Sequence, residues 1–200
     1  MSSAAPAPGE ERILEDLGAV GFASRSLADL RHSGARYREA IPVLLDWLPR
    51  VTDVKVKGEV VRVLSVPWAK PAATEPLIDE FRRLDVSADP TGTGLRWTIG
   101  NALEVLFADA NFEAFAELAR DERYGKARQM VVLGLGKSKR PEAVDVLLGL
   151  VGDPDVDGHA VKALGKLKAP ESRPALESKL ADSRAWVRSE ARKALAKLPV

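Results

Sequence analysis

The chain has 200 residues, of which 46% are hydrophobic and 30% charged, with a formal net charge of +1. That size fits one domain or a short repeat array, and the charge balance supplies no global field to draw nucleic acid or a membrane. With no cysteine and only His32 and His159, disulfides, thiolate chemistry and multi-histidine metal sites are excluded.

Residues 1–9 are rich in Ser, Ala and Pro and lack the basic start and apolar centre of a signal peptide, so they read as a disordered tail. No apolar run approaches the roughly 18 residues of a membrane span, and a soluble, cytoplasmic protein with no membrane contact is expected. Residues 10–35 read as an N-terminal cap. Within it "EERILEDLGAVG" is a helix whose Glu10, Glu11, Glu15 and Asp16 suit the positive end of its dipole. Residues 36–200 read as repeats, and with the cap they form a single domain over 10–200. "AIPVLLDWL" and "VKGEVVRVL" give the first helix pair. Pro67 and Pro71 then flank "WAK", where Trp68 reads as a local core plug, with an exposed anchor as the alternative. "RLDVSADPTGTG", residues 83–94, is a long loop marked by Pro and Gly. Long surface loops cost little closure entropy, so a tolerated insertion is the first reading. Insertions on one edge of a repeat array also carry function.

The C-terminal part shows the repeat most clearly. "AVKALGKL" superposes on "EARKALAKL", and "LGKSKRPEAV" on "LGKLKAPESR", with Pro141 over Pro170. Carried back along the chain, the equivalent leucines are Leu64, Leu103, Leu135, Leu164 and Leu195, at steps of 39, 32, 29 and 31 residues. A second series, Leu44, Ile78, Leu118, Leu147 and Leu176, interleaves with it. Two series at one period mean two helices per unit. The first helix of a unit opens on Pro or a polar residue, as "PEAVDVLLGLV" does, because proline suits a first helical turn. A short Gly/Asp loop such as "GDPDVDG" follows. The second helix has one buried face: Val187, Ala191, Ala194 and Leu195 recur at helical spacing. Small residues stand just before the repeated leucine (Ala102, Gly134, Ala163, Ala194) and let helices approach closely. One pair cannot bury its apolar faces alone, so neighbours must stack. The expected fold is all-α, an α-α superhelix of about five helix pairs.

"VRSEARKALAKL" (187–198), "DVDGHAVKALGKLKAPESRPAL" (155–176) and "LGKSKRPEAVDVLLGLV" (135–151) resemble HEAT repeats, nearest to the short HEAT-like repeats first described in phycobilisome lyases. The resemblance is strong over 125–200 and weakens toward the N-terminus. It implies a solenoid with the second helices lining the concave face. It does not imply lyase activity, because function is carried by sites and not by folds. In this family an Arg stands seven residues before the repeated leucine, with an Asp about six residues earlier. Here that series is Lys57, Arg96, Arg128, Asp157 and Arg188, with Glu122 and Asp182 as the preceding acids. The resemblance implies a ladder of charged hydrogen bonds between repeats. A basic stripe facing an acidic partner is the alternative, and Asp157 interrupts it.

Several catalytic patterns fail. "GLGKS" at 134–138 ends like a phosphate-binding loop, yet Val131 stands where its first glycine belongs and "LGK" recurs in repeat register at Leu164–Lys166. "GTGLRW" has Trp97 in place of the third glycine of a dinucleotide fingerprint. His159 has no nucleophile context and reads as a solvated histidine. No catalytic residue, cofactor or metal is assigned, and the chain is not expected to be an enzyme.

Registered on the repeated leucine, positions two and six before it face away from the first helix. The first row is Arg62, Asn101, Leu133, Lys162 and Lys193; the second is Gly58, Trp97, Gln129, Gly158 and Ser189. The residue two after the leucine adds Val66, Val105, Lys137, Lys166 and Lys197. The partner-binding candidates are therefore Arg62, Trp97, Asn101, Gln129, Leu133, Lys162, Lys166 and Lys193. An aromatic anchor with an arginine nearby suits a protein or peptide partner. Nucleic-acid binding resembling the HEAT-like DNA repair glycosylases is the alternative, and the near-zero net charge counts against it. A tetrapyrrole-handling role has no supporting Cys or His site.

Overall fold

A computed structural model describes residues 9–85 and 94–199. Among the described residues there is no strand. The α-helices run in order as α1 (Glu11–Ala19), α2 (Leu27–His32), α3 (Ala40–Trp47), α4 (Val54–Leu64), α5 (Thr74–Arg83), α6 (Leu95–Leu106), α7 (Phe112–Arg120), α8 (Gln129–Leu135), α9 (Glu142–Gly149), α10 (Asp157–Leu167), α11 (Arg173–Ser178) and α12 (Ala185–Leu195). The tail expected over 1–9 and the loop expected over 83–94 lie outside the described residues except at their edges.

From α3 onward the helices make the five pairs read from the sequence. The cap is a further pair and not a lone helix: α1 packs on α3, and α2 packs on α4. Its link is set by Glu10. That carboxylate was expected to serve the dipole of α1, but its Oε1 accepts the Leu27 N–H at 2.6 Å, at the start of α2. Ser26 caps the same helix through Asp29 N–H, and Asp53 caps α4 through the N–H groups of Lys55 and Val56. Each satisfies backbone donors that have no partner within a helix.

The second helices form a continuous row in which α2, α4, α6, α8, α10 and α12 each pack on the next. The first helices touch one another less. The row of second helices is the side that the repeat resemblance expects to be concave. Small residues permit close approach within it. A Cβ added to Gly136 would meet the Ala163 Cα at 2.8 Å, and one added to Gly165 would meet the Ala194 Cβ at 2.7 Å. The glycine of each "LGK" thus seats the alanine that precedes the next repeated leucine.

Both leucine series form the core. Leu64, Leu103, Leu135 and Leu164 are fully buried, as are Leu44, Ile78, Leu147 and Leu176, with Leu118 nearly so. Leu195 is half-buried, because among the described residues no further pair stacks on α12. Trp68 is the plug: it packs against the core and meets the buried Tyr37 edge-on, with ring centroids 5.6 Å apart.

Candidate functional site

The charged series seven residues before the repeated leucine is spent on the junctions between helices. Lys57 pairs with Glu80, joining α4 to α5. Arg96 donates to the carbonyls of Phe81 and Leu84 at the end of α5 and lies 5.0 Å from the Tyr124 ring centroid. Arg128 donates to the Ala119 carbonyl at 2.9 Å and pairs with Asp153 at 2.8 Å. Arg188 donates to the carbonyls of Asp182 and Ser183. Asp157 makes the same kind of junction with its polarity exchanged, taking Lys179 at 2.7 Å and Arg184 at 2.5 Å from the next pair. Glu122, which the family pattern sets against Arg128, is exposed, and Asp153 takes its place.

Arg96 and Arg128 are each 1% exposed, so this series is not a stripe open to an acidic partner. A buried cation is tolerated only when paired and hydrogen-bonded, as these are. Burial pushes the Asp157 carboxyl up, but the hydrogen bonds from Arg184 and Lys179 outweigh it and hold the group below the ordinary aspartate range.

The candidate groove residues occupy the row of second helices. Arg62, Lys162, Lys166 and Lys193 are exposed; Trp97, Asn101 and Gln129 are half-buried. Leu133 was expected on the open face, but at 6% exposure its side chain belongs to the packed interior. A position two before the leucine lies at the border of the buried stripe, where an apolar side chain gains from being covered. Asn101 donates to the Trp97 carbonyl one turn back, and Gln129 donates to the Asp155 carbonyl at 2.9 Å. Gln129 therefore also ties α8 to the next loop.

Arg62 lines a cleft of about 450 Å³ between α4 and α6, with Val54, Gly58, Glu59, Leu95 and Thr98 on its walls. Its guanidinium pairs with Glu59 at 2.7 Å and lies over Gly58, where an added Cβ would come within 3.3 Å of Nη1. Lys137 pairs with Glu104 at 2.8 Å, and Lys166 approaches the same oxygen at 3.6 Å. Lys70 donates to the Phe107 carbonyl nearby. Burial, with Lys137 and Lys162 beside it, holds the Lys166 ammonium below the ordinary lysine range against the pull of Glu104. Lys70 is lowered in the same direction by burial and Lys137.

The sequence reading passed over Trp186. It is 46% exposed, although its ring rests on Gly158, where an added Cβ would fall 2.1 Å from it. His159 meets the same ring edge-on, with centroids 5.5 Å apart. The histidine expected to be solvated is therefore half-buried, and burial, followed by Lys162, lowers its pKa against the opposing Asp157. The hint was the bare Gly158 in the groove row: a missing side chain there leaves room for another. Among the described residues no group of three or more His, Cys, Asp or Glu is placed to hold a metal. No helix among them is long and apolar enough to cross a membrane.

The HEAT-repeat family profile matches residues 112–196, the stretch that holds α7 to α12. Residues 112–196 are HEAT repeats. HEAT repeats as a class mediate protein interactions and scaffolding. A solved structure described as an engineered protein superposes on this chain with a TM-score of 0.57 at 17% identity, over 94% of this chain and 89% of that one. At that identity the likeness speaks for the fold alone. Among curated proteins, none matches the sequence.

Proposed function

We propose that this chain is a non-catalytic, cytoplasmic interaction module, one solenoid over 10–200, that binds a protein or peptide on its concave second-helix face. The observation that carries the reading is a division of labour. The buried cations are consumed at repeat junctions, whereas Arg62, Trp97, Asn101, Gln129, Lys162, Lys166 and Lys193 keep surface on one face. Trp97 and Arg62 supply the residue types that dominate binding energy at protein interfaces. Leu133 contributes by holding α8 in place from within.

Lysines and an aromatic side chain on one face are also what single-stranded nucleic acid uses, through phosphate contacts and base stacking. The two readings separate in a pull-down from native lysate at two salt concentrations, with Trp97→Ala as control bait. A protein that survives the higher salt and is lost on Trp97→Ala is the expected result. Recovery of nucleic acid that vanishes at higher salt, with no dependence on Trp97, would overturn it.

A further inference from the structure

The net charge of +1 hides an uneven distribution of charge over the solenoid. In the last three pairs the first helices, α7, α9 and α11, carry Glu113, Glu117, Glu142, Asp145 and Glu177 against Arg120 and Arg173. The second helices, α8, α10 and α12, carry Lys162, Lys166, Arg188, Arg192 and Lys193 against Asp157 and Glu190. Asp157 and Arg188 are both spent on junctions between helices, and Glu190 pairs with Lys193 at 2.9 Å. Lys137 and Lys197 extend the basic side just past the ends of α8 and α12, and both are exposed. The second-helix face of these pairs is therefore basic, whereas on the first-helix side Lys139, Arg140 and Lys179 beyond the helix ends offset the acids.

We infer that the occupant of the second-helix face over the last three pairs is an acidic peptide segment, held by Lys137, Lys162, Lys166 and Lys193, with an apolar side chain against the exposed ring of Trp186. This rests on the groove reading above and names the chemistry of its partner. Charge complementarity fixes the class. Glu104 shared between Lys137 and Lys166 leaves that cluster one positive charge in excess, and a second carboxylate completes it. Nucleic acid fits less well. A duplex presents a phosphate charge about every 1.7 Å, and Glu104 beside Lys137 and Lys166 opposes so dense a row. Spaced carboxylates with apolar residues between them suit both the lysine intervals and Trp186.

The test is anisotropy titration of three labelled probes: a peptide alternating Glu and Leu, the same peptide with Gln for Glu, and oligothymidylate of equal length. The expected result is that the Glu peptide binds the wild-type chain at least tenfold more tightly than the Gln peptide. Lys162→Glu with Lys193→Glu weakens it at least tenfold, and Asp145→Lys on the first-helix side leaves it unchanged. Circular dichroism confirms that each variant stays helical, and Lys166→Gln alone supplies a milder change in the same direction. Equal binding of the Glu and Gln peptides overturns the inference, and so does tighter binding of oligothymidylate. If neither peptide binds while a Trp97-dependent protein partner is still recovered from lysate, the acidic-segment inference falls and the groove reading stands.

Discussion

The ring of Trp186 occupies the space where a side chain on Gly158 would stand, 2.1 Å from a Cβ built on that glycine. Two residues from successive repeats thus share one site on the second-helix face. Gly158→Ala must displace the indole. Because the ring is 46% exposed it has room to swing out, so the expected cost is modest, about 1 kcal/mol from the overpacking range. Tryptophan emission should shift to the red while the far-ultraviolet helical signal holds. An unchanged emission spectrum would show that the indole does not rest there.

Gly165 has no such freedom. An added Cβ meets the Ala194 Cβ at 2.7 Å and its Cα at 3.1 Å, so backbone must move. Alanine ordinarily gains about 1 kcal/mol over glycine within a helix, but overpacking costs about 1–3 kcal/mol. Gly165→Ala is expected to lower stability in urea denaturation. Gly18→Ala in α1, where nothing lies within 4 Å, is expected to raise it by about 0.5–1 kcal/mol.

Removing the guanidinium of Arg128 strands the Ala119 carbonyl and leaves Asp153 without its partner at 2.8 Å. Breaking a buried ion pair from one side costs about 3–5 kcal/mol. Arg128→Met should fall near the lower end, since Asp153 keeps some contact with water. Double-mutant analysis with Asp153→Asn should then recover part of the loss. Strict additivity of the two changes would argue against the pairing.

His159 titrates below the ordinary histidine value of 6.5, because burial beside Trp186 and then Lys162 disfavour its charged form. The unfolded chain therefore binds a proton more readily than the folded one. The stability this contributes is full above pH 6.5 and is lost as pH falls through the lower folded value. Melting temperature should drop between neutral pH and about pH 5. His159→Gln is expected to flatten that part of the profile.

Asp157 acts in a more acidic window. Its folded value lies below the ordinary 3.8, because Arg184 and Lys179 outweigh its burial. Its contribution is present above 3.8 and disappears as pH falls through the folded value. Asp157→Asn should cost stability at neutral pH, and the gap to wild type should close on acidification. A gap that stayed constant with pH would mean that the junction does not depend on the charge.

The periodicity of the leucines was enough to determine the fold, because burying a stripe every turn of a helix leaves few other solutions. It set the pairing of helices from α3 onward and the two buried series. It also separated "LGK" from a phosphate-binding loop, since its glycine recurs in repeat register. The family's charged series was legible as a set of helix junctions, although the hydrogen bonds of Arg96 and Arg188 stay within their own pair while Lys57, Arg128 and Asp157 reach the next. What the sequence by itself left open was decided by neighbours distant in the chain. Glu10 at the start of α1 also serves α2, Asp153 replaces Glu122 beside Arg128, and Leu133 is buried on the face expected to be open. Trp186 reaches back to Gly158, although 28 residues separate them. The helical period tells which face a residue occupies. Only the stacking of pairs decides whether that face is covered, by which side chain, and with which charge beside it.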